Sequence, residues 1–174
     1  MELIEGILTR KSVRKFTSQP VEDEKIRTIL TAAMSGPSCT NARDWSFIVV
    51  KDKQTLNAMA DANGRPAEPL RNAAFAVLVL GDYDRAFPRA QDYWVIDGSI
   101  AAQNMALAAH GLGLGSVWLG TWPQMDRVYA QKELFDLPNS VIPHSILAFG
   151  YPESDEAFPE RDLYEEDRVH FEKW

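Results

Sequence analysis

Phe75-Ala76-Val77-Leu78-Val79-Leu80 is the stretch from which the fold is read. It has six apolar residues in a row and no polar side chain to turn toward water. Such a run suits a β-strand buried on both faces. Trp45–Val50 reads as a second strand, Ser116–Leu119 as a third and Ser145–Phe149 as a last one. Helical patterns lie between them. Residues 22–34 form the clearest: Glu22, Asp23 and Glu24 occupy the first turn, where the helix dipole favours anions. Ile26, Ile29, Leu30 and Ala33 follow at the spacing of a buried face, and Ser35-Gly36-Pro37 ends the run. Leu3, Ile4, Ile7 and Leu8 make an apolar stripe on residues 2–9. Further helices are expected over Lys53–Asp61, over the small-residue stretch Asp97–His110 and over residues 125–135. Lys11–Pro20, Ser38–Asp44 and residues 81–92 read as loops. Interleaved helices and strands place the chain in a mixed α and β class.

The chain has 174 residues and shows no repeat or linker, so residues 1–174 are read as a single domain. Residues 150–174 are charged, contain Pro152 and Pro159, and have too few apolar residues to form a core element. Net charge is −7, from 18 Lys and Arg against 25 Asp and Glu, which speaks against a nucleic-acid partner. No apolar run approaches the roughly 20 residues of a membrane span, and no membrane partner is expected. The first residues run from acidic to basic, the reverse of a secretory signal, and Cys39 is the single cysteine. A cytoplasmic protein is the expectation.

Gly111, Gly113 and Gly115 do not form a dinucleotide fingerprint, because a helix precedes them and a strand follows. They read as a helix C-cap and a tight turn, with His110 compensating the dipole at the helix end. There is no phosphate-binding P-loop and no G-x-S-x-G. His110, His144 and His170 lack ligand spacing, so no metal is expected.

Two segments carry chemistry. Arg10-Lys11-Ser12-Val13-Arg14-Lys15-Phe16 gathers four cations in an acidic chain. In an extended stretch Arg10, Ser12 and Arg14 share one side, and two guanidinium forks with a hydroxyl match a phosphate. Alone, a solvated basic turn is the better explanation. The second segment, Pro37-Ser38-Cys39-Thr40-Asn41, follows the clearest helix; its small hydroxyl and amide groups suit a flat heteroaromatic ring or a cap and turn.

Taken in order, these residues resemble the nitroreductase family of FMN-dependent oxidoreductases, over nearly the whole chain. The family's R-x-S-x-R-x-F stretch is met by Arg10, Ser12, Arg14 and Phe16. Its A-P-S-x-x-N-x-Q-P-W-x-F stretch is met by Pro37, Ser38, Asn41, Trp45 and Phe47, with Arg43-Asp44 standing where Gln-Pro is usual. Asp97, Ala101, Gln103, Asn104, Leu107 and Gly113-Leu-Gly115 match a later helix and turn. The strand Val117–Thr121, Leu137-Pro138, Gly150-Tyr151-Pro152 and the ending Arg168–Trp174 follow.

The resemblance implies an α+β sandwich with a central, mostly antiparallel sheet flanked by helices, in an intertwined homodimer. Residues 150–174 would wrap the partner subunit, burying Phe158, Tyr164, Phe171 and Trp174. Arg10, Lys11, Ser12 and Arg161 would hold the FMN phosphate, with Glu160 a departure beside Arg161. Arg14 would lie near the pyrimidine edge as an electrostatic tuner. Pro37, Ser38, Cys39 and Asn41 would come from the other chain. Backbone of Trp118, Leu119, Gly120 and Thr121 would face the flavin near N5. The implied reaction is ping-pong reduction of a small organic acceptor (nitroaromatic, quinone or enone) by NADH or NADPH, with no catalytic side chain. Tyr83, Phe87, Tyr93 and Trp94 are candidates for the open ring face or for ordinary packing. A flavin protein that stores, degrades or senses FMN is the alternative, and a plain interaction domain a distant third.

Overall fold

The computed structural model describes residues 2–154 and 163–174. Its elements are α1 (Leu3–Thr9), α2 (Asp23–Met34), β1 (Trp45–Val50), α3 (Lys53–Asn63), β2 (Phe75–Asp82), α4 (Trp94–Gly111), β3 (Gly115–Gly120), α5 (Met125–Leu134) and β4 (Val141–Gly150). The four strands form one sheet in the order β1-β2-β4-β3, and every neighbouring pair is antiparallel. The fold is the expected α+β arrangement.

β2 is buried along nearly its whole length, and its side chains divide by the strand's period of two. Ala76, Leu78 and Leu80 join Ile146 and Ala148 of β4 in one core, with Leu56 and Met59 of α3. Phe75, Val77 and Val79 join Leu147 and Phe149 in a second, under Ile26 and Ile29 of α2 and Ala101 and Met105 of α4. Helices therefore cover both faces, which is why no polar residue interrupts the run. Phe75 and Phe149 stack at 4.7 Å between ring centroids. The chain just past α2 lies close against α4: a Cβ on Gly36 would come within 2.7 Å of Ile100 Cγ2. Asn104 Nδ2 donates to the Ala32 carbonyl, satisfying one open group at the end of α2.

Several elements are longer than the sequence pattern indicates. α4 begins at Trp94 rather than Asp97, because Trp94 is a core residue, 1% exposed, packed edge-on against Tyr83 and Trp122. Trp94 thus packs the core; Tyr93 stays exposed. β4 begins at Val141 and contains Pro143. The register with β2 shifts there: Val79 opposes Ser145 while Leu80 opposes Pro143, so His144 is the extra residue. Proline has no N–H for the ladder, and an irregularity is where a strand tolerates it. The segment Ser38–Asp44 contains a short 3₁₀ turn, Cys39–Asn41, and a second one spans Arg65–Asn72, which the periodicity did not reveal. Residues 163–174 hold one 3₁₀ turn and no core residue, as expected of the tail.

Candidate cofactor site

The basic segment is fastened to the sheet by its apolar members. Val13 N–H donates to the Ser116 carbonyl at 2.8 Å, and Ser12 bridges Ser116 of β3 in parallel. Phe16, 3% exposed, bridges Pro152, and Thr17 N–H donates to the Tyr151 carbonyl. Gly115 and Gly150 make room: a Cβ at Gly115 would lie 2.7 Å from Val13, and one at Gly150 would lie 2.9 Å from Phe16. With Val13 and Phe16 directed inward, Ser12, Arg14 and Lys15 are left exposed. Lys11–Lys15 and Pro152–Ser154 line a cleft of about 370 Å³.

Ser12 is level with Ser116, and Gly120 lies four residues farther along β3, about 13 Å at the rise of a strand. The far end of β3 is held by a hydrogen-bond network. Asn63 Nδ2 and Arg127 Nη1 both donate to the Gly120 carbonyl, at 3.1 and 2.9 Å. The Thr121 hydroxyl donates to Asn63 Oδ1 at 2.9 Å. Thr121 and Leu119 are buried, so only their backbone is available to a ligand, whereas Trp118 and Gly120 are exposed. Asn63 and Arg127 escaped the sequence reading, because their partner is a backbone atom of a distant strand. Fully buried Asn63 had no local signal beyond its place at the end of α3.

The second segment is built differently. Thr40, Asn41 and Arg43 have positive φ values of 51°, 58° and 53°. Such a conformation costs roughly 1–2 kcal/mol for a residue with a Cβ, least for Asn. Short bonds hold it: Ser38 Oγ accepts the Arg43 N–H, the Ser38 carbonyl accepts the Asn41 N–H, and Cys39 N–H donates to both oxygens of Asp97, at 3.2 and 3.0 Å. Pro37 and Asn41 are exposed; Ser38 and Cys39 are half-buried. Asp44 at its end is 1% exposed.

α4 separates the two segments. Asp97 near its start holds Cys39, and His110 near its end meets Thr9, which precedes Arg10, at 2.9 Å. Thirteen residues of helix span about 20 Å. Within one chain the structure therefore does not bring Arg10–Arg14 and Ser38–Asn41 together. Arg161, with Phe158 and Glu160, lies outside the described residues.

Two histidines differ from expectation or add to it. At the end of α4, burial first, then the Arg10 charge, hold His110 below the usual imidazole range, against the pull of Glu5. His144, the bulge residue, has burial as its main influence and is pushed down to about 4, with the Val95 carbonyl opposing. Its Nε2–H faces that carbonyl at 3.0 Å and its Nδ1 faces the Ser145 hydroxyl at 2.9 Å, so the neutral ring is satisfied on both sides. Trp118 tilts over it at 5.7 Å.

Comparison with known proteins identifies the family. The profile of the nitroreductase family matches residues 7–79 and 64–151. The chain belongs to the nitroreductase family. A relative from Methanothermobacter thermautotrophicus, named "Putative NADH dehydrogenase/NAD(P)H nitroreductase", is 42% identical over 174 residues, covering 100% of this chain and 88% of that protein. A crystal structure of the same name from Parabacteroides distasonis superimposes with a TM-score of 0.91 at 35% identity, covering 99% of this chain and 98% of that one. An FMN-dependent nitroreductase from Clostridium difficile gives 0.89 at 30%, covering 98% of this chain and 99% of that one. Among the described residues no nitroreductase helix is long and apolar enough to cross a membrane.

Proposed function

We propose that this nitroreductase binds FMN and uses NADH or NADPH to reduce a small organic acceptor such as a nitroaromatic, quinone or enone. The observation that carries the reading is the fastening of the basic segment beside β3. It sets Ser12 and its cations at one end of the strand and the exposed Gly120 at the other. The donor set fits FMN: cations and a hydroxyl for a phosphate, then a strand edge for a ring. Relatives named for FMN and for NAD(P)H support the same cofactors.

When bound, FMN supplies hydride transfer between nicotinamide and acceptor. The chain supplies position and charge. Arg10, Lys11 and Ser12 bind the phosphate, and Arg161 joins them by family resemblance. Arg14 favours negative charge on the ring's pyrimidine side. Asn63 and Arg127 hold the Gly120 carbonyl, fixing the backbone turn that faces the ring. No side-chain acid or base is required of the protein.

Pro37, Ser38, Cys39 and Asn41 serve the flavin of a second copy, so the working unit is a homodimer with composite sites. The length of α4 between the segments supports this. So do the apolar surfaces left open at the chain's ends. α1 has no buried residue, with Leu3 72% and Ile4 65% exposed; Leu163, Tyr164, Phe171 and Trp174 of the tail are likewise exposed.

The test is to purify the protein, look for non-covalent FMN, and add NADH or NADPH without oxygen. Bleaching of the flavin followed by reoxidation with a nitroaromatic or quinone is the expected result. Bound FMN that neither nucleotide bleaches would favour storage or sensing, and a colourless protein that ignores FMN would overturn the cofactor assignment. Sedimentation of a monomer that binds FMN fully would overturn the composite site.

A further inference from the structure

Asp44 and Asp97 are two buried carboxyl groups behind the second segment that act on each other electrostatically. Each residue is 1% exposed. Asp97, on the first turn of α4, accepts the Cys39 N–H with both oxygens. Asp44 closes the segment, and its own carbonyl accepts the Asp82 N–H at 2.7 Å. Neither Asp44 carboxyl oxygen has a donor partner. A buried carboxylate with no donor is costly, and one protonated to bond its neighbour is not.

We propose that Asp44 is a positioning residue: in its protonated form it donates a hydrogen bond to Asp97 and so fixes the strained Ser38–Asn41 segment for the cofactor. The inference rests on the cofactor reading above. The surroundings agree with it. Burial, then the Asp97 charge and hydrogen bond, and lastly the Asp82 charge push Asp44 up to about 6, and its own backbone is the one influence in the opposite direction. Asp97 on α4 and Asp82 on β2 are the charged groups that act on it. The adjacent Arg43 instead lies over the Trp45 ring at 5.9 Å. Once the proton leaves, two carboxylates repel at the point that anchors Cys39, and the segment loosens.

FMN affinity is measured by fluorescence quenching between pH 5.5 and 8 for wild type, Asp44→Asn and Asp44→Ser. The FMN phosphate itself titrates near pH 6, so the difference between proteins carries the test. The amide and the hydroxyl donate to Asp97 at every pH. Wild type is expected to weaken about five- to tenfold more than either variant over this range, a coupling of ordinary allosteric size. Superimposable wild-type and variant profiles would overturn the proposal; Asp44→Ser serves if Asp44→Asn does not fold. Carbon-13 NMR titration of the apo-protein gives a second readout. An Asp44 midpoint near 6 is expected, and one in the ordinary carboxylate range would overturn the shared proton. A chain that binds no FMN at either pH overturns the cofactor reading itself.

Discussion

The two segments assigned to the flavin, Arg10–Phe16 and Pro37–Asp44, are held in opposite ways. The first is relaxed backbone clipped to β3 and to the end of β4 by Val13 and Phe16, with its charges outside. The second carries three residues at positive φ and hangs from a pair of buried carboxyl groups. Apolar anchoring carries no titrating group, whereas anchoring by an acid changes with pH. The proposed site would combine a phosphate clamp held by packing with a segment held by buried carboxyl groups.

The largest expected effects break the clamp's charge. Arg10→Ala leaves the anchors untouched and removes a charge-assisted contact worth about 1.5–3 kcal/mol, so FMN binding should weaken ten- to a hundredfold by equilibrium titration. Unchanged affinity would move the phosphate elsewhere.

Asp44→Asn sharpens the contrast through stability. A carboxyl whose folded value is raised from the usual 3.8 to about 6 contributes stability below about pH 4, lost as pH rises through 6. The variant should exceed wild type by roughly 1–3 kcal/mol at pH 7.5 in urea unfolding and match it at pH 4. An advantage that persists at pH 4 would point to packing instead of charge. His144 works in the reverse sense. Held at about 4 against an unfolded value near 6.5, it costs stability as pH falls from 6.5 to 4. His144→Gln should flatten that acid-side loss, and an unchanged slope would show that His144 is not its source.

Gly115→Ala attacks the clamp's anchoring. Its Cβ would fall 2.7 Å from Val13, so overpacking should cost about 1–3 kcal/mol and lower FMN affinity with it. A variant as stable as wild type would mean that the segment can shift without loss.

The smallest effect relieves the strained segment. Thr40→Gly removes a β-branched residue from φ 51° and should gain below about 1 kcal/mol in thermal unfolding, after the glycine's extra chain entropy. Destabilisation would show that the threonine side chain itself is needed.

The sequence by itself determined the elements and their class. The apolar run Phe75–Leu80, the i, i+3 stripe of α2 and the small residues of α4 are local patterns, and each reports burial directly. The ordered motifs also marked the two segments proposed for the flavin and the end of β3. Tertiary structure alone decided how those segments are held. Asn63 and Arg127 meet the Gly120 carbonyl across the fold, and a hydrogen bond to backbone leaves no trace in residue type at the acceptor. The register shift that turns His144 inward depends on how β2 and β4 align. Asp44 looked like an ordinary loop residue, since a carboxyl's cost is set by what surrounds it. Only the packing of α4 and β2 around it made the charge expensive and gave its proton a partner.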